Sequence, residues 1–293
     1  MLYLLCAVLC SAAINLGFAF AKERKMNNLA VTWFNYLTAA AVSLLLLWRA
    51  GLPEGRFRLS ALAGNLRGAH TADGSLTVAV LFGAVTGVIY IASLLAIQYT
   101  ILRAGPSPAA MFNKLGAMLP VLAAVLLFDE RPSALCWAGV AVAAAALVIY
   151  NWGGGFRFDW LLPATLLLGG LSDLSGKLFA VWSEQRFKPL FLLCVFGVAA
   201  LLCTALLFRG GRPRFGVPEA CTGMLVGAVN LGAAFFLILS LGALPAGIVY
   251  PAQCAGVVLL IALAGRLWFR ERLGARRLAA VGLTAVSLVL LNL

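Results

Sequence analysis

Charge is what this sequence has least of. Of its 293 residues only 11% are Asp, Glu, Lys or Arg, ten are acidic, and there is one histidine, His70. A soluble domain carries about a quarter charged residues, so a water-exposed globule is excluded. A lone imidazole outside every apolar run leaves no histidine for acid–base work within the core, and no phosphate loop or nucleophile–base pair is present. The sequence therefore gives no support for an enzyme. Regular alternation of polar and apolar residues is also missing, which excludes a transmembrane barrel. The seven cysteines (6, 10, 136, 194, 203, 221 and 254) lie inside or at the edge of apolar runs, with no metal-ligand spacing. They read as small apolar residues, and no metal or cofactor is implied.

Apolar residues, in contrast, fill 63% of the chain. Runs of about 20 such residues, each long enough to cross a hydrocarbon core of about 30 Å as a helix, recur nearly end to end. They predict an all-α membrane protein with ten transmembrane helices, over 2–21, 29–48, 76–98, 107–127, 133–151, 160–182, 189–208, 218–240, 245–265 and 274–292. The first run has no basic residue before it and no small-residue cleavage site before Lys22-Glu23-Arg24-Lys25, so it reads as a retained helix rather than a signal peptide. The formal net charge of +12 resides in short hairpins between apolar runs, where Arg and Lys set membrane orientation rather than bind nucleic acid. Hairpins on the side away from the termini hold 13 Arg and Lys and those on the side of the termini hold seven, a count that places both termini outside.

The hairpin from Pro108 to Asn151 returns 141 residues later, from Val249 to Asn292. Phe128-Asp129-Glu130-Arg131 in the first copy corresponds to Phe269-Arg270-Glu271-Arg272 in the second. The third and eighth runs align at an offset of 140, Gly83, Gly87 and Tyr90 against Gly223, Gly227 and Asn230. The second and seventh align at about 160, the difference being absorbed by the long 49–75 loop. The expected organisation is two repeats of five helices each, 1–152 and 153–293. Because five is odd, they lie in opposite orientations, as in transporters built from inverted repeats.

Several polar residues interrupt the apolar runs. Asp173, in Gly169-Gly170-Leu171-Ser172-Asp173-Leu174-Ser175-Gly176-Lys177, is the one acidic residue near the middle of a span, and Lys177 lies one turn beyond it. A charge at that depth costs several kcal/mol unless paired or hydrated. Two readings follow: the two residues line a water-filled cavity and take the ammonium and carboxylate of a substrate, or they neutralise each other and fix helix packing. Lys114 lies about two turns inside the fourth run without an acidic neighbour, and either meets an anionic group or snorkels to the interface. Asn15, Tyr90 and Asn230 are cavity candidates because buried polar groups need partners. The glycines at i, i+4 read as close-packing positions. Tyr250 and Gln253 share a face beside Pro251, which either removes a helix hydrogen bond or marks the helix start, and Pro120 predicts a kink in the fourth run. The Glu-Arg pairs at 130–131 and 271–272 read as caps and interfacial ion pairs.

These features resemble the drug/metabolite transporter superfamily, in particular its ten-helix EamA-like branch: two five-helix halves, each with an apolar run, a Phe-x-Glu-Arg turn and a final helix, over essentially the whole chain. The segment from Gly247 to Leu273 also resembles the third helix and following turn of the small multidrug-resistance proteins. The first-helix glutamate of that family has no acidic counterpart in the second or seventh run here. The resemblance implies alternating access around a central cavity and cytoplasmic termini, the reverse of the charge count. The expected activity is secondary transport of a small polar metabolite, amino-acid-like or zwitterionic, across a bacterial inner (plasma) membrane. An exporter of aromatic cations or drugs and a non-transporting scaffold are the alternatives. Ten spans can enclose a pathway in one chain, so a monomer suffices and a homodimer stays open.

Overall fold

The computed structural model describes residues 1–51, 53–104, 113, 116–129, 133–151, 160–209 and 215–267, with isolated positions beyond. The helices are α1 (Leu2–Glu23), α2 (Asn28–Ala50), α3 (Leu59–Leu66), α4 (Ala72–Ala104), α5 (Met118–Phe128), α6 (Ala134–Asn151), α7 (Leu161–Trp182), α8 (Lys188–Phe208), α9 (Val217–Ala243) and α10 (Ala246–Leu267), with a 3-10 turn at Gln185–Phe187. No strand occurs among the described residues. Six segments, within α1, α2, α4, α7, α9 and the 3-10 turn with α8, are long and apolar enough to cross a membrane. The run expected at 274–292 lies mostly outside the described residues.

Local chemistry fixes several helix ends. Asn27 caps α2, its side-chain oxygen accepting from the backbone N–H of Leu29 and Ala30 at 3.1 and 3.3 Å. Gly51, at φ +78°, stops the same helix in a conformation that favours glycine. Pro189 sits at the start of α8, where its missing N–H is not needed. Pro120 likewise falls in the first turn of α5 and is buried there. The fourth run is interrupted just before it, with residues 116 and 117 in a turn and Leu119 N–H donating to the Gly116 carbonyl at 2.8 Å. The irregularity is thus a break ahead of the proline. Pro251 lies inside α10, so its reading as a helix start gives way to an interior ring without a donor.

At the centre α2 packs along α8. Helix α9 lies against α2, and α4 lies against α8; α1 covers α9 and α4 covers α7 in the same way. Glycines set these distances. A Cβ on Gly83 would lie 2.7 Å from Cys194 Cβ and 2.9 Å from the Phe191 carbonyl oxygen, while on Gly87 it would lie 2.6 Å from the Val195 carbonyl and 2.7 Å from Val198 Cβ. On Gly223 it would lie 2.5 Å from Phe34 Cβ and 2.6 Å from the Val31 carbonyl, and on Gly227 it would meet the Asn35 carbonyl and Thr38 Cβ. These helices touch backbone to backbone, which small residues alone permit.

The 49–75 segment, expected as a plain loop, is a built structure. Asn65, at the end of α3, has no exposed surface. Its Nδ2 donates to Ser75 Oγ and to the Trp182 carbonyl, both at 3.0 Å, and its Oδ1 accepts from Thr71 N–H at 3.1 Å and Thr71 Oγ1 at 3.2 Å. Ser183 Oγ donates to the Ser75 carbonyl at 3.1 Å. The knot therefore joins α3, the start of α4 and the end of α7.

Two stability predictions follow from this packing. Gly87→Leu and Gly227→Leu each lower stability by about 1–3 kcal/mol through overpacking, read as a drop in Tm of the purified protein in detergent. Asn65→Ala costs about 1–3 kcal/mol by stranding buried hydrogen-bonding groups, whereas exposed Asn15→Ala leaves Tm nearly unchanged.

Candidate functional site

Between the central helices lies a cavity of about 280 Å³ lined by Phe18, Thr32, Asn35, Tyr36, Tyr90, Ser93, Leu94, Ile97, Asn113, Gly169, Ser172, Asp173 and Asn230. Its walls come from α1, α2, α4, α7, α9 and the segment before α5. At 1.5 Å of rise per residue, the lining positions lie about 6 to 20 Å from the end of the bundle that holds the α1–α2 turn. Toward the other end the interior is filled: Phe179, Phe187, Phe191 and Leu192 are buried, and the rings of Phe179 and Phe191 stack at 4.4 Å.

Glycine again makes the room. A Cβ on Gly169 would lie 2.6 Å from Asn113 Nδ2, and one on Gly116 would lie 2.7 Å from Gly170 N. The break in the fourth run therefore rests directly on the α7 backbone one turn before Asp173, and Asn113 reaches the cavity over a residue without a side chain. Across the cavity, Asn230 Nδ2 donates to Asn35 Oδ1 at 3.0 Å, joining α9 to α2. The pair keeps one amide NH2 and one carbonyl oxygen for other partners. Tyr36 and Tyr90 both lean on Phe196, with ring centroids 6.4 and 6.0 Å away. Aromatic faces thus flank a wall whose single acidic member among the described residues is Asp173.

Of the residues singled out in the sequence, Tyr90, Asp173 and Asn230 line this cavity. The others do not. Tyr250 is fully buried and its hydroxyl donates to the Asp173 backbone carbonyl at 2.5 Å, so it fixes the helix that carries Asp173. Lys177 is 4% exposed, with Nζ 5.8 Å from the centroid of the Phe128 ring, the first residue of the Phe-x-Glu-Arg turn. Gln253 donates to Ser11 Oγ at 3.2 Å. Asn15 is exposed and donates to the Ser11 carbonyl, one turn back along α1, at 2.7 Å. Lys114, Glu130-Arg131 and the 269–272 turn lie outside the described residues.

Sequence reading passed over Thr32, Asn35, Ser93, Asn113 and Ser172. Thr32, Asn35 and Tyr36 form a polar stripe in an otherwise apolar run, the same signal that marked Asn230.

No family model matches the chain, and no curated protein does. The fold superposes on a crystal structure of another protein with a TM-score of 0.70 and 18% sequence identity, over 99% of this chain and 94% of that one. At that identity the likeness shows a shared fold and nothing about activity.

Proposed function

We propose that the chain is a secondary transporter of the drug/metabolite transporter superfamily, EamA-like, that moves a small polar metabolite, amino-acid-like or zwitterionic, by alternating access. The observation that carries this reading is the 280 Å³ cavity between the central helices, with a carboxylate, three amides, hydroxyls and tyrosines on its wall. Its volume is near the lower end of small-ligand sites. A scaffold would have no use for such a space, and its polar groups would be packed against each other. In a zwitterion the ammonium meets Asp173 while the carboxylate is met by the amide donors of Asn35 and Asn113 across the cavity.

The proposed architecture is ten spans in two inverted five-helix repeats, 1–152 and 153–293. It is supported by the glycine contacts. Shifting Gly83 and Gly87 by 140 gives Gly223 and Gly227. Their neighbours Val31, Phe34, Asn35 and Thr38, shifted by 160, give Phe191, Cys194, Val195 and Val198, which are the residues that Gly83 and Gly87 meet. The offsets come from the sequence alone, and these contacts support the repeat reading. The pairing of α1 with α10 and of α7 with α5 follows the same rule.

Export of aromatic cations is the second reading, favoured by the tyrosine faces beside Asp173. A bacterial inner membrane is the proposed location, with the orientation left to be mapped by cysteine labelling. Thermal unfolding of the purified protein with amino acids, amines, sugars and nucleotide sugars tests the function, because a ligand held only by the folded state stabilises it by about 2.7 kcal/mol at a hundredfold excess over Kd and so raises Tm. The expected outcome is a shift with amino acids that Asp173→Asn and Asn35→Ala abolish. A shift with aromatic amines alone supports the second reading, and one that survives both substitutions moves the site elsewhere.

A further inference from the structure

Beside the main cavity lies a second and much smaller chamber, of about 20 Å³. The two meet at Tyr90, Ser172 and Asp173, which line both. The small one lies toward the end of the bundle away from the α1–α2 turn. Leu192 on its wall stands about one turn past the start of α8, and Ile238 about one and a half turns before the end of α9. Its wall corresponds to that of the main cavity. The offsets of 160 from α2 to α8 and 140 from α4 to α9, which relate the glycine contacts, carry Thr32, Asn35, Leu94 and Ile97 to Leu192, Val195, Ala234 and Leu237. The first four line the main cavity and the second four line the small chamber. In the same way Tyr90 of the small chamber corresponds to Asn230 of the main one. Phe196 and Ala233, the counterparts of Tyr36 and Ser93, are left out, and the space is correspondingly smaller.

The matched walls differ in chemistry. Helices α2 and α4 give the main cavity Thr32, Asn35, Tyr36, Tyr90 and Ser93 beside Leu94 and Ile97. Helices α8 and α9 give the small chamber only apolar side chains, Phe191, Leu192, Val195, Ala234, Leu237 and Ile238. The polar groups of the small chamber, including the hydroxyls of Thr86, Tyr90 and Ser175, all come from α4 and α7. On the α8 side the chamber is closed by packing, where the Phe191 ring stacks on Phe179.

We propose that the small chamber is the closed form of a second mouth to the same site, and that the site holds a polar ligand more weakly when this mouth is open. This rests on the inverted-repeat and substrate-site readings above, and adds a sidedness to them. When the two halves exchange conformations, the open wall presents Leu192 and Val195 where Thr32 and Asn35 stood. The Asn35 amide goes with the closed wall, and no amide replaces it on the open one. Loss of one or two hydrogen bonds weakens binding by about tenfold. A ligand shifts an equilibrium between two states by its difference in affinity for them, so a bound polar ligand holds the chain open toward the α1–α2 turn.

The test uses the full-length chain in right-side-out and inverted membrane vesicles, with a thiol introduced by Leu94→Cys in the main cavity, or by Ala234→Cys or Ile238→Cys in the chamber. A membrane-impermeant maleimide is added on one face at a time, and mass spectrometry of the labelled peptides separates each introduced thiol from the native cysteines. Two chamber positions are read so that the loss of one variant leaves the other. The Leu94→Cys thiol reacts from one face, and the chamber thiols react, more slowly, from the opposite face only. Saturating leucine slows the chamber thiols about tenfold. Val195→Asn, which gives the second mouth an amide, removes most of that slowing, whereas a ligand that merely plugged the chamber would go on slowing them. Reaction of all the thiols from one face overturns the second mouth. So does a failure of both chamber thiols to react from either face while leucine still shields the Leu94→Cys thiol, and that result leaves the main cavity as the ligand site. Opposite-faced labelling in which leucine shields Leu94→Cys but leaves the chamber thiols unchanged overturns the sided affinity. No effect of alanine, leucine or phenylalanine on any thiol brings down the amino-acid reading of the main cavity together with the sided affinity.

Discussion

A carboxylate halfway along an apolar helix must be given water or polar partners, or it drives the helix out of place. Asp173 is in that position, and much of the surrounding structure is arranged about it. The wall it belongs to is polar on the cavity side, from Asn113, Ser172 and the Asn35–Asn230 pair. On the far side the Tyr250 hydroxyl holds the carbonyl of the same residue. Gly169 and Gly170 let the break in the fourth run press against the helix one turn earlier. Lys177, one turn further on, is enclosed and set against an aromatic ring. The two charged residues of α7 thus occupy different surroundings, the carboxylate at the cavity wall and the ammonium in packed protein.

Helix contacts within a bilayer gain little from hydrophobicity, since lipid tails are as apolar as the side chains. Close backbone approach supplies the attraction instead, and here it is concentrated where α4 and α9 cross α8 and α2. The four glycines at these crossings do the same work in two matching places. Against this matched core, the Asn65 knot stands at one end alone, because the segment that forms it has no counterpart of similar length in the second half. The described helices have two matching glycine crossings and one reinforced end.

How far the sequence foretold this depended on how local each signal was. Apolar runs are local, so the helices α1, α2, α4 and α6 to α10 lie close to the expected spans. Helix α3 is eight residues long and its buried anchor is an asparagine, so no apolar period announces it. The partners that bury Asn65 lie 6 to 117 residues away, a distance that no pattern within a short window can encode. In the site, Asp173, Tyr90 and Asn230 stood out because each breaks an apolar run. Asn35 breaks one too, but nothing within α2 separates it from a polar residue satisfied by its own helix. Asn15 and Gln253 carried the same mark and were satisfied by Ser11 instead, at its carbonyl and its hydroxyl. A polar residue in an apolar run shows that a partner exists, but not whether the partner is a ligand or a neighbouring turn.

The cavity and the knot sit toward opposite ends of the bundle, and this limits how the interior can be reached. The end near the α1–α2 turn leads to Thr32 and Phe18, within about two turns of the helix ends. At the other end, access to Asp173 would require parting the stacked rings of Phe179 and Phe191 and separating α7 from α4, which are joined through Asn65, Ser75 and Ser183. Those bonds anchor the last turn of the helix that carries the carboxylate. A motion that exposed Asp173 to that side would break them or carry α3 and the start of α4 along with α7 as one body. The second course costs less, because it preserves buried hydrogen bonds and shifts only apolar contacts that neighbouring side chains can re-form. The 49–75 segment is then the one that ties α4 to α7 during any such movement.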